Sequence, residues 1–556
     1  MKRLTIILFA VISSLTIVMG QPATIKSAAK STFKLTSYDA DGNVISTSYG
    51  VFTSADGEAI GVWSSLSTAA TAEVTDINGS KYPVEHIIGA NELYDVCHFI
   101  VGTKKTTPAK LANKIMPKAL NVWLLDNGKK PNIVEFSIER SETFMNKYGY
   151  YVFAYNDVNG TAGSPFINEN GEVIGLLQQS ETSLETHAVD ANFANSLKFD
   201  VLAINNPLYA KTGIRFQLPE DKKQAMLMVM LSAEQRDSAK YAGYINDYIT
   251  MFPHEADGYS TSAMRKIGYG DFTGADNDMQ TALRLSTDKG EAHSEYARVI
   301  YQKLIYDNDS NFTLWNLDKA LSEAEEAYKL DPKPVYQHRI AQILFSKKEY
   351  SRAYDIFVSL SKSAMNNSEV FFEAAQCKAQ LGAPKKEIIE LLDSAVARCP
   401  KPFTAVSAPY VLTRGQLYDE IGDYRRALAD YNTYDTIMVG RANAEFYYTR
   451  YKCELNIRQY QQALNDIAHA AVVAQPDMRN IYLAELASLQ LRVNQLNEAV
   501  HTSDLCLQLA PNNTDALIIK GVALVNLKKK VEGFECFTRA KELGDNRGDE
   551  YLKKYK

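Results

Sequence analysis

The stretch "VNGTAGSPFINENGEVIGLL" at residues 158–177 decides how the first half of the chain is interpreted. Its second part alternates apolar and polar residues around Asn170-Gly171, a dipeptide typical of the tight turn of a β-hairpin. Ahead of the hairpin lie Gly160 and Gly163, and glycine accepts backbone conformations that other residues avoid. The stretch therefore predicts a loop of unusual backbone shape followed by two paired strands.

The same hairpin pattern recurs towards the N-terminus. Alternating apolar and polar residues surround turn sequences at 41–43 and 78–79. Turn signals at intervals of roughly ten residues are typical of an all-β sandwich or barrel. After a polar stretch at 206–224, which we interpret as a linker, the apolar period becomes helical and stays so to the C-terminus. We therefore expect a β domain at 21–205 and a helical domain at 225–556.

The helical part repeats itself. The small residues Ala427, Ala463, Ala499 and Gly533 occupy the same place in four successive segments, 36, 36 and 34 residues apart. A period near 34 with two helices in each unit resembles the tetratricopeptide repeat. The resemblance covers about residues 225–545 and implies about seven units.

Further positions match the packing pattern of these repeats. Glycines let paired helices approach closely, aromatic rings fill grooves between units, alanines allow the closest contacts, and prolines end units. The matching residues are Gly415, Tyr418, Tyr424, Ala427, Ala463, Ala499, Pro511 and Gly521. In most members of the family the concave face of the array binds protein or peptide, so we expect a protein partner there.

Charge and motifs exclude several function classes. The net charge is −6, so no basic surplus exists to neutralise phosphates, and nucleic acid is not an expected partner. We find neither a phosphate-binding loop nor paired Cys/His spacing for a metal, and we expect no cofactor. We interpret the six cysteines as free, buried thiols, because five of them lie in helical repeats where cysteine acts as a small apolar residue.

The first twenty residues have the pattern of a signal peptide. Lys2 and Arg3 precede a mostly apolar segment, and Gln21 is the expected mature start. No later run is long and apolar enough for a membrane-spanning helix. We therefore expect a bacterial protein exported to the periplasm, the cell envelope or the medium, and a retained N-terminal anchor is the alternative.

The opening stretch also resembles the nucleophile region of periplasmic trypsin-like serine peptidases. In that family a Gly-x-Ser-Gly-Gly-Pro sequence precedes a hairpin of this kind. Gly160, Gly163 and Pro165 match the pattern, whereas Ala162 stands at the nucleophile position and Ser164 replaces the second glycine of the pair. The resemblance implies a trypsin-like double β-barrel with an oxyanion-type loop formed by Gly160, Thr161, Ala162 and Gly163.

The other two catalytic regions are placed by the same resemblance. The segment at 50–101 resembles the first barrel of the family, and Asp95 matches the carboxylate that orients the catalytic histidine. The histidine position falls on Ser64, or on Ser65 after a slip of one residue. Acyl transfer by this fold needs a hydroxyl nucleophile and a base, and neither alanine nor serine at these positions supplies them.

These observations predict an exported, non-catalytic binding or scaffold protein in which a pseudopeptidase barrel precedes a tetratricopeptide solenoid. The barrel cleft is expected to hold an extended peptide by strand addition, or its glycines serve only as turn residues. One alternative is an active endopeptidase in which Ser164 is a displaced nucleophile and the repeats recruit substrate. A second alternative is a purely structural barrel that covers the end of the helical stack.

Overall fold

The computed structural model describes residues 23–125, 132–153, 161–179, 185–235, 237–307 and 312–556. The expected signal peptide at 1–20 and Gly160 of the loop lie outside these residues. The chain divides into two compact units at Ser286 and Thr287. The first unit holds the strands and the first helices, and the second holds the remaining helices.

A closed barrel of six antiparallel strands begins the first unit. A short helix, α1 (Ala23–Ala28), precedes these strands. In spatial order the ring runs β1, β2, β3, β6, β5, β4 and back to β1. The strands are β1 (Thr32–Tyr38), β2 (Val44–Phe52), β3 (Glu58–Gly61), β4 (Thr71–Asp76), β5 (Lys81–Asn91) and β6 (Val96–Val101).

A second six-stranded barrel follows, with the ring order β8, β9, β10, β13, β12, β11. A short strand β7 (Lys110–Leu111) adds to its edge beside β12. The other strands are β8 (Asn121–Leu125), β9 (Ile133–Phe144), β10 (Tyr148–Phe153), β11 (Pro165–Ile167), β12 (Glu172–Gln178) and β13 (Thr186–Asp190). Both barrels share one strand order, and they confirm the predicted trypsin-like double-barrel fold.

The predicted hairpin turns are present. Gly42, Gly79 and Gly171 have φ of +82°, +88° and +80°, and they connect β1 to β2, β4 to β5 and β11 to β12. Only glycine adopts this left-handed conformation without a steric cost. The dipeptides read from the sequence therefore set the register of these strand pairs.

The stretch 206–224 is not a linker. Its strand β14 (Arg215–Phe216) pairs in parallel with β5 and widens the first sheet. The side chains of Ile214, Phe216 and Leu218 are buried in the core of the first barrel. The stretch is polar in the sequence because these apolar residues alternate with Arg215, which binds Asp247, and with the exposed Gln217.

The helices begin before the end of the predicted linker. After α2 (Ala191–Ser196), the first unit contains α3 (Lys222–Glu234), α4 (Ser238–Met251), α5 (Ala256–Ile267) and α6 (Phe272–Leu285). The second unit contains α7 (Lys289–Tyr306), α8 (Leu317–Leu330), α9 (Pro334–Ser346), α10 (Tyr350–Leu360), α11 (Ser368–Gln380), α12 (Lys385–Ala397), α13 (Ala408–Glu420), α14 (Tyr424–Met438), α15 (Ala444–Asn456), α16 (Tyr460–Val473), α17 (Arg479–Arg492), α18 (Leu496–Leu509), α19 (Thr514–Asn526), α20 (Lys530–Glu542) and α21 (Asn546–Tyr555).

These helices form the predicted solenoid of paired helices. Ala427, Ala463, Ala499 and Gly533 lie in α14, α16, α18 and α20, the second helix of each pair, and all four are buried. A Cβ on Gly521 of α19 would lie 2.4 Å from the Phe537 ring, so only glycine permits this approach of α19 to α20. Gly533 of α20 lies equally close to α19, because a Cβ there would lie 2.8 Å from the carbonyl oxygen of Gly521.

The structure also gives the surroundings of the aromatic and glycine positions of the repeat. A Cβ on Gly415 would lie 3.0 Å from Asp430 and 3.1 Å from the ring of Tyr431. Tyr418 is buried in the same core, and its hydroxyl donates to Asp393 at 3.2 Å. Tyr424 begins α14 and is partly buried, and Pro511 lies in the turn between α18 and α19.

Two chemical features of the chain follow from the packing. All six cysteines are free and buried, as we interpreted them. Within the described residues we find no helix whose length and apolar character would let it cross a bilayer.

Candidate functional site

The residues that the sequence predicts to match a catalytic site lie where the two barrels meet. The backbone N–H of Tyr49 in β2 donates to the carbonyl oxygen of Ala162 at 2.9 Å. A Cβ on Gly163 would lie 2.1 Å from the carbonyl oxygen of Tyr49 and 2.8 Å from the side chain of Val62, two residues before Ser64. The loop of the second barrel therefore packs directly against the first barrel, beside the predicted histidine position.

Ser64 donates hydrogen bonds to both oxygens of the Asp95 carboxylate. Its backbone N–H donates to Asp95 Oδ1 at 2.6 Å, and its hydroxyl donates to Oδ2 at 2.9 Å. Burial raises the pKa of Asp95, and the two hydrogen bonds from Ser64 oppose this shift. Asp95 thus holds the side chain that stands at the predicted histidine position, as an orienting acid would hold an imidazole.

The neighbouring residue, Ser65, has different hydrogen-bond partners from Ser64. Ser65 is buried, its hydroxyl donates to Ser48 Oγ at 2.8 Å, and it lies 3.0 Å from Ser46 Oγ. It therefore belongs to a chain of hydroxyls inside the first barrel. Of the two candidates left open by the sequence, Ser64 is the one that contacts Asp95.

The backbone of the loop has the shape that its glycines suggested. Gly163 has φ of +82°, in the left-handed region. Its N–H donates to the carbonyl oxygen of Leu177 at 2.8 Å, so this amide is engaged within the second barrel. Thr161 and Ala162 are partly exposed beside it. Among the four residues predicted to form an oxyanion-type loop, Gly163 therefore uses its N–H for a hydrogen bond within the second barrel.

Ser164 is enclosed by the second barrel. It is 1% exposed, and its hydroxyl donates to the carbonyl oxygen of Thr161 at 2.7 Å. A nucleophile needs an accessible oxygen and a base that accepts its proton. The contact with a backbone carbonyl gives Ser164 a structural partner, and burial keeps it from a substrate.

The three histidines of the barrels have other partners. His86 lies 2.9 Å from Asp247 of α4, which also binds the guanidinium of Arg215. The ring of His187 packs against Tyr150 with centroids 5.7 Å apart. His98 contacts the carbonyl oxygen of Leu197 at 3.3 Å, and burial lowers the pKa of this imidazole.

Each of these imidazoles is thus used in packing or in an ion pair. The His86 cluster was not visible in the sequence, because its partner Asp247 lies 161 residues further along the chain. No local pattern indicates such a pair.

The first helices of neighbouring units carry a row of aromatic and charged side chains. The rings of Tyr448 and Tyr482 lie 5.4 Å apart, and Tyr448 stacks on Tyr451 at 5.7 Å. The hydroxyl of Tyr451 donates to Glu485 at 3.2 Å, and the ammonium of Lys452 lies 4.8 Å from the Tyr448 ring. Tyr451 and Tyr482 are buried in the core of the second unit and Tyr448 is partly buried, so this row, which the sequence had not singled out, packs neighbouring repeats together.

Comparisons with known proteins add little beyond the fold. Neither a protein-family model nor a curated protein sequence matches the chain. Among solved structures, the chain is similar to one described as the HtrA-type protease AlgW with tripeptide, with 14% sequence identity and a TM-score of 0.27. The match covers 31% of this chain and 60% of that protease. A similarity at this level says nothing about activity, and function has to be inferred from the site itself.

Proposed function

We propose that this chain is an exported, non-catalytic binding or scaffold protein, in which a pseudopeptidase double barrel is joined to a tetratricopeptide solenoid. The observation that carries the proposal is the pair formed by Ser64 and Asp95. A hydroxyl donates to the carboxylate at the place where a peptidase would hold its base. A serine hydroxyl accepts no proton at neutral pH, so Asp95 orients a group that cannot act as a general base.

The nucleophile position supports the same conclusion. Ala162 offers only a methyl group there. Loss of the serine or of the histidine of a triad removes rate by a factor on the order of 10⁶ in subtilisin. The alternative of a displaced nucleophile at Ser164 is disfavoured by its burial and by its hydrogen bond to Thr161.

The retained loop is consistent with binding. Gly163 keeps its left-handed backbone and its close contact with Tyr49, although the neighbouring Ala162 at the nucleophile position has no hydroxyl. We propose that the cleft between the barrels accepts an extended peptide by strand addition and that the solenoid binds a protein partner on its concave face.

A fluorophosphonate probe for serine hydrolases tests the proposal directly. The natural protein should gain no adduct in intact-mass measurements, whereas the double variant Ser64→His with Ala162→Ser should be labelled at residue 162. The single variant Ala162→Ser serves as the control and should react far more slowly, because it lacks the base. An adduct on the natural protein would overturn the proposal, and peptide mapping would name the true nucleophile.

A structural role for the barrels is the second candidate, and one contact favours it. The hydroxyl of Tyr244 in α4 accepts the N–H of Phe216 at 2.9 Å, within a core shared by the first barrel and the helices α3 and α4. Comparison of the full chain with residues 287–556, which contain the second unit alone, separates the two functions. If the barrels only cover the helices, this fragment binds the same partners as the full chain, whereas peptide binding by the cleft predicts the loss of a ligand.

A further inference from the structure

Three side chains of the second unit, far along the chain from the barrel site, converge on one point. His338 lies in α9, and Glu369 and Glu373 lie in α11. One nitrogen of His338 and one oxygen from each carboxylate lie within 4.8 Å of one another. We propose that His338, Glu369 and Glu373 form a binding site for Zn²⁺.

The helix geometry places these groups without strain. Glu369 and Glu373 are four residues apart, and residues at this spacing lie on the same face of a helix. The opposing helix has the same arrangement, because His338 and Gln342 are also four residues apart. Two neighbouring helices therefore present two side chains each to a common point.

The ligands are held by contacts of their own. The imidazole of His338 is 7% exposed, and its ring packs edge-on against Phe357 at 5.7 Å. The amide nitrogen of Gln342 donates to Glu373 Oε1 at 2.8 Å, while Arg339 donates to the amide oxygen of Gln342 at 3.0 Å. Such outer contacts fix the orientation of metal ligands, and their loss typically costs about 10- to 100-fold in metal affinity.

An ion pair between His338 and Glu373 accounts for only part of this arrangement. The His338 Nε2 atom does contact Glu373 Oε2 directly. Glu369, however, points an oxygen at the same place, and among the described residues we find no cation paired with it. Two carboxylates four residues apart repel each other on a helix. A cation between them would remove this repulsion and give Glu369 a partner.

The donor set selects the kind of ion. Zn²⁺ binds imidazole nitrogen and carboxylate oxygen at about 2.0–2.2 Å, which corresponds to donor atoms roughly 3.3 Å apart in a tetrahedral site. Rotation of the exposed Glu369 side chain brings the group to this size. Mg²⁺ and Ca²⁺ prefer sites made of oxygen alone, and Zn²⁺ binds nitrogen–oxygen sites more strongly than Mn²⁺ does. One coordination position is left for water or a partner's side chain.

The sequence motifs gave no sign of this site. Metal sites are recognised in a sequence when their ligands follow a short fixed spacing. Here His338 is 31 residues from Glu369, and only the packing of α9 beside α11 brings them together. A bound ion would link two consecutive repeats of the solenoid.

The test measures metal bound by the untagged full-length protein after removal of metal with a chelator. Equilibrium dialysis against ZnCl₂, followed by elemental analysis, should give one tightly bound Zn²⁺ per chain and a higher melting temperature. Glu369→Gln removes one ligand but keeps the contact between His338 and Glu373, so the fold should persist. Its affinity for Zn²⁺ should fall at least about tenfold.

The matched control is Glu390→Gln, an exposed carboxyl of α12 that should leave Zn²⁺ affinity unchanged. Gln342→Leu should weaken binding about 10- to 100-fold, because Glu373 then loses its orienting contact. Dialysis against MgCl₂ should give no comparable uptake. Equal Zn²⁺ affinity for the natural protein and Glu369→Gln, with circular dichroism showing both folded, would overturn the proposal, as would the absence of tight Zn²⁺ uptake by the natural protein.

Discussion

Single residues of the barrel site carry the proposal of a changed chemistry in a retained geometry. Ser64 and Asp95 form a polar pair where the sequence predicts an orienting acid and its base, and a serine hydroxyl is not a base at neutral pH. Gly163 keeps a left-handed backbone that a peptidase would use to shape its oxyanion loop. We infer that the contact between the two barrels, rather than catalysis, now requires this glycine.

Replacement of Gly163 by alanine tests this requirement. The new Cβ would lie 2.1 Å from the carbonyl oxygen of Tyr49, so the loop would have to move away from β2. Gly42→Ala is the matched control, since Gly42 has the same φ of +82° but no atom within 4 Å of a Cβ. Gly42→Ala should cost about 1–2 kcal/mol, and Gly163→Ala should cost about 1–3 kcal/mol more. Equal losses in denaturant unfolding would show that the contact with Tyr49 does not matter.

Glu454 is a buried carboxyl in an unusual place. It is 4% exposed in α15, and its Oε2 atom has no hydrogen-bond partner among the residues that the structure describes. Burial raises the pKa of Glu454 to about 8, and the neighbouring Asp466 adds to this shift while Arg450 opposes it. In the preceding repeat the equivalent residue is Tyr418, so a polar acid has taken the place of a ring that packs between units.

This carboxyl should make stability depend on pH. Glu454 stays protonated in the folded chain up to about pH 8 but ionises near its ordinary value of 4.5 when unfolded. Between these values the unfolded state binds fewer protons, so stability falls as pH rises. Glu454→Gln cannot ionise and should gain roughly 5 kcal/mol relative to the natural protein between pH 4.5 and 8.

Unfolding of both proteins in urea across this pH range measures the difference. Glu498→Gln, an exposed carboxyl of α18, should show no comparable gain. A constant difference between the natural protein and Glu454→Gln at all pH values would mean that Glu454 is already ionised in the folded chain.

At the scale of the helices, the turn inside each of four successive repeats contains a left-handed residue. Gly422, Arg458, Asn494 and Lys528 have φ of +80°, +64°, +62° and +67°, and they are spaced like the small residues of the second helices. Glycine is favoured at this position because it has no Cβ. The repeat geometry is therefore stronger than the local preference, since arginine and lysine adopt the same conformation.

Arg458→Gly should accordingly stabilise the protein by about 0.5–1 kcal/mol, because the steric cost of a left-handed Cβ disappears. Gly422→Ala is the reverse change in the preceding unit, where a Cβ would meet no atom within 4 Å, and it should cost about 1 kcal/mol. Arg458→Ala removes the side chain but keeps the Cβ, and it should be nearly neutral in thermal unfolding. A gain for Arg458→Ala as large as that for Arg458→Gly would contradict the backbone explanation.

On the scale of the whole molecule, the border between β and helical structure is not a border between folding units. Helices α3 and α4 bury Met228, Tyr244 and Tyr248 in the core of the first barrel. Arg215 of β14 binds Asp247 of α4 through two hydrogen bonds of 2.6 and 3.0 Å. The compact units instead separate at Ser286 and Thr287.

Two fragments test whether the border between folding units lies at residue 205 or at Ser286 and Thr287. Residues 287–556 should fold as a soluble helical protein, because the core of the second unit lies within the fragment. Residues 206–556 carry α3 and α4 without the barrel and should expose their apolar faces to solvent. We expect the longer fragment to bind a hydrophobic dye and to aggregate, and size-exclusion chromatography compares the two. A monomeric longer fragment without dye binding would place the border at residue 205.

The sequence by itself determined the features that depend on residues close together in the chain. The hairpin turns and the repeat period follow from patterns a few residues long or from a fixed period. The same kind of local pattern carries the prediction that Ala162 and Ser64 stand in place of a nucleophile and a base. The tertiary structure alone decided that Ser64 rather than Ser65 meets Asp95, that 206–224 joins the first barrel, and that His338 meets Glu369. These contacts join residues about 30 or more positions apart, and their formation depends on how whole elements pack, which no local pattern records.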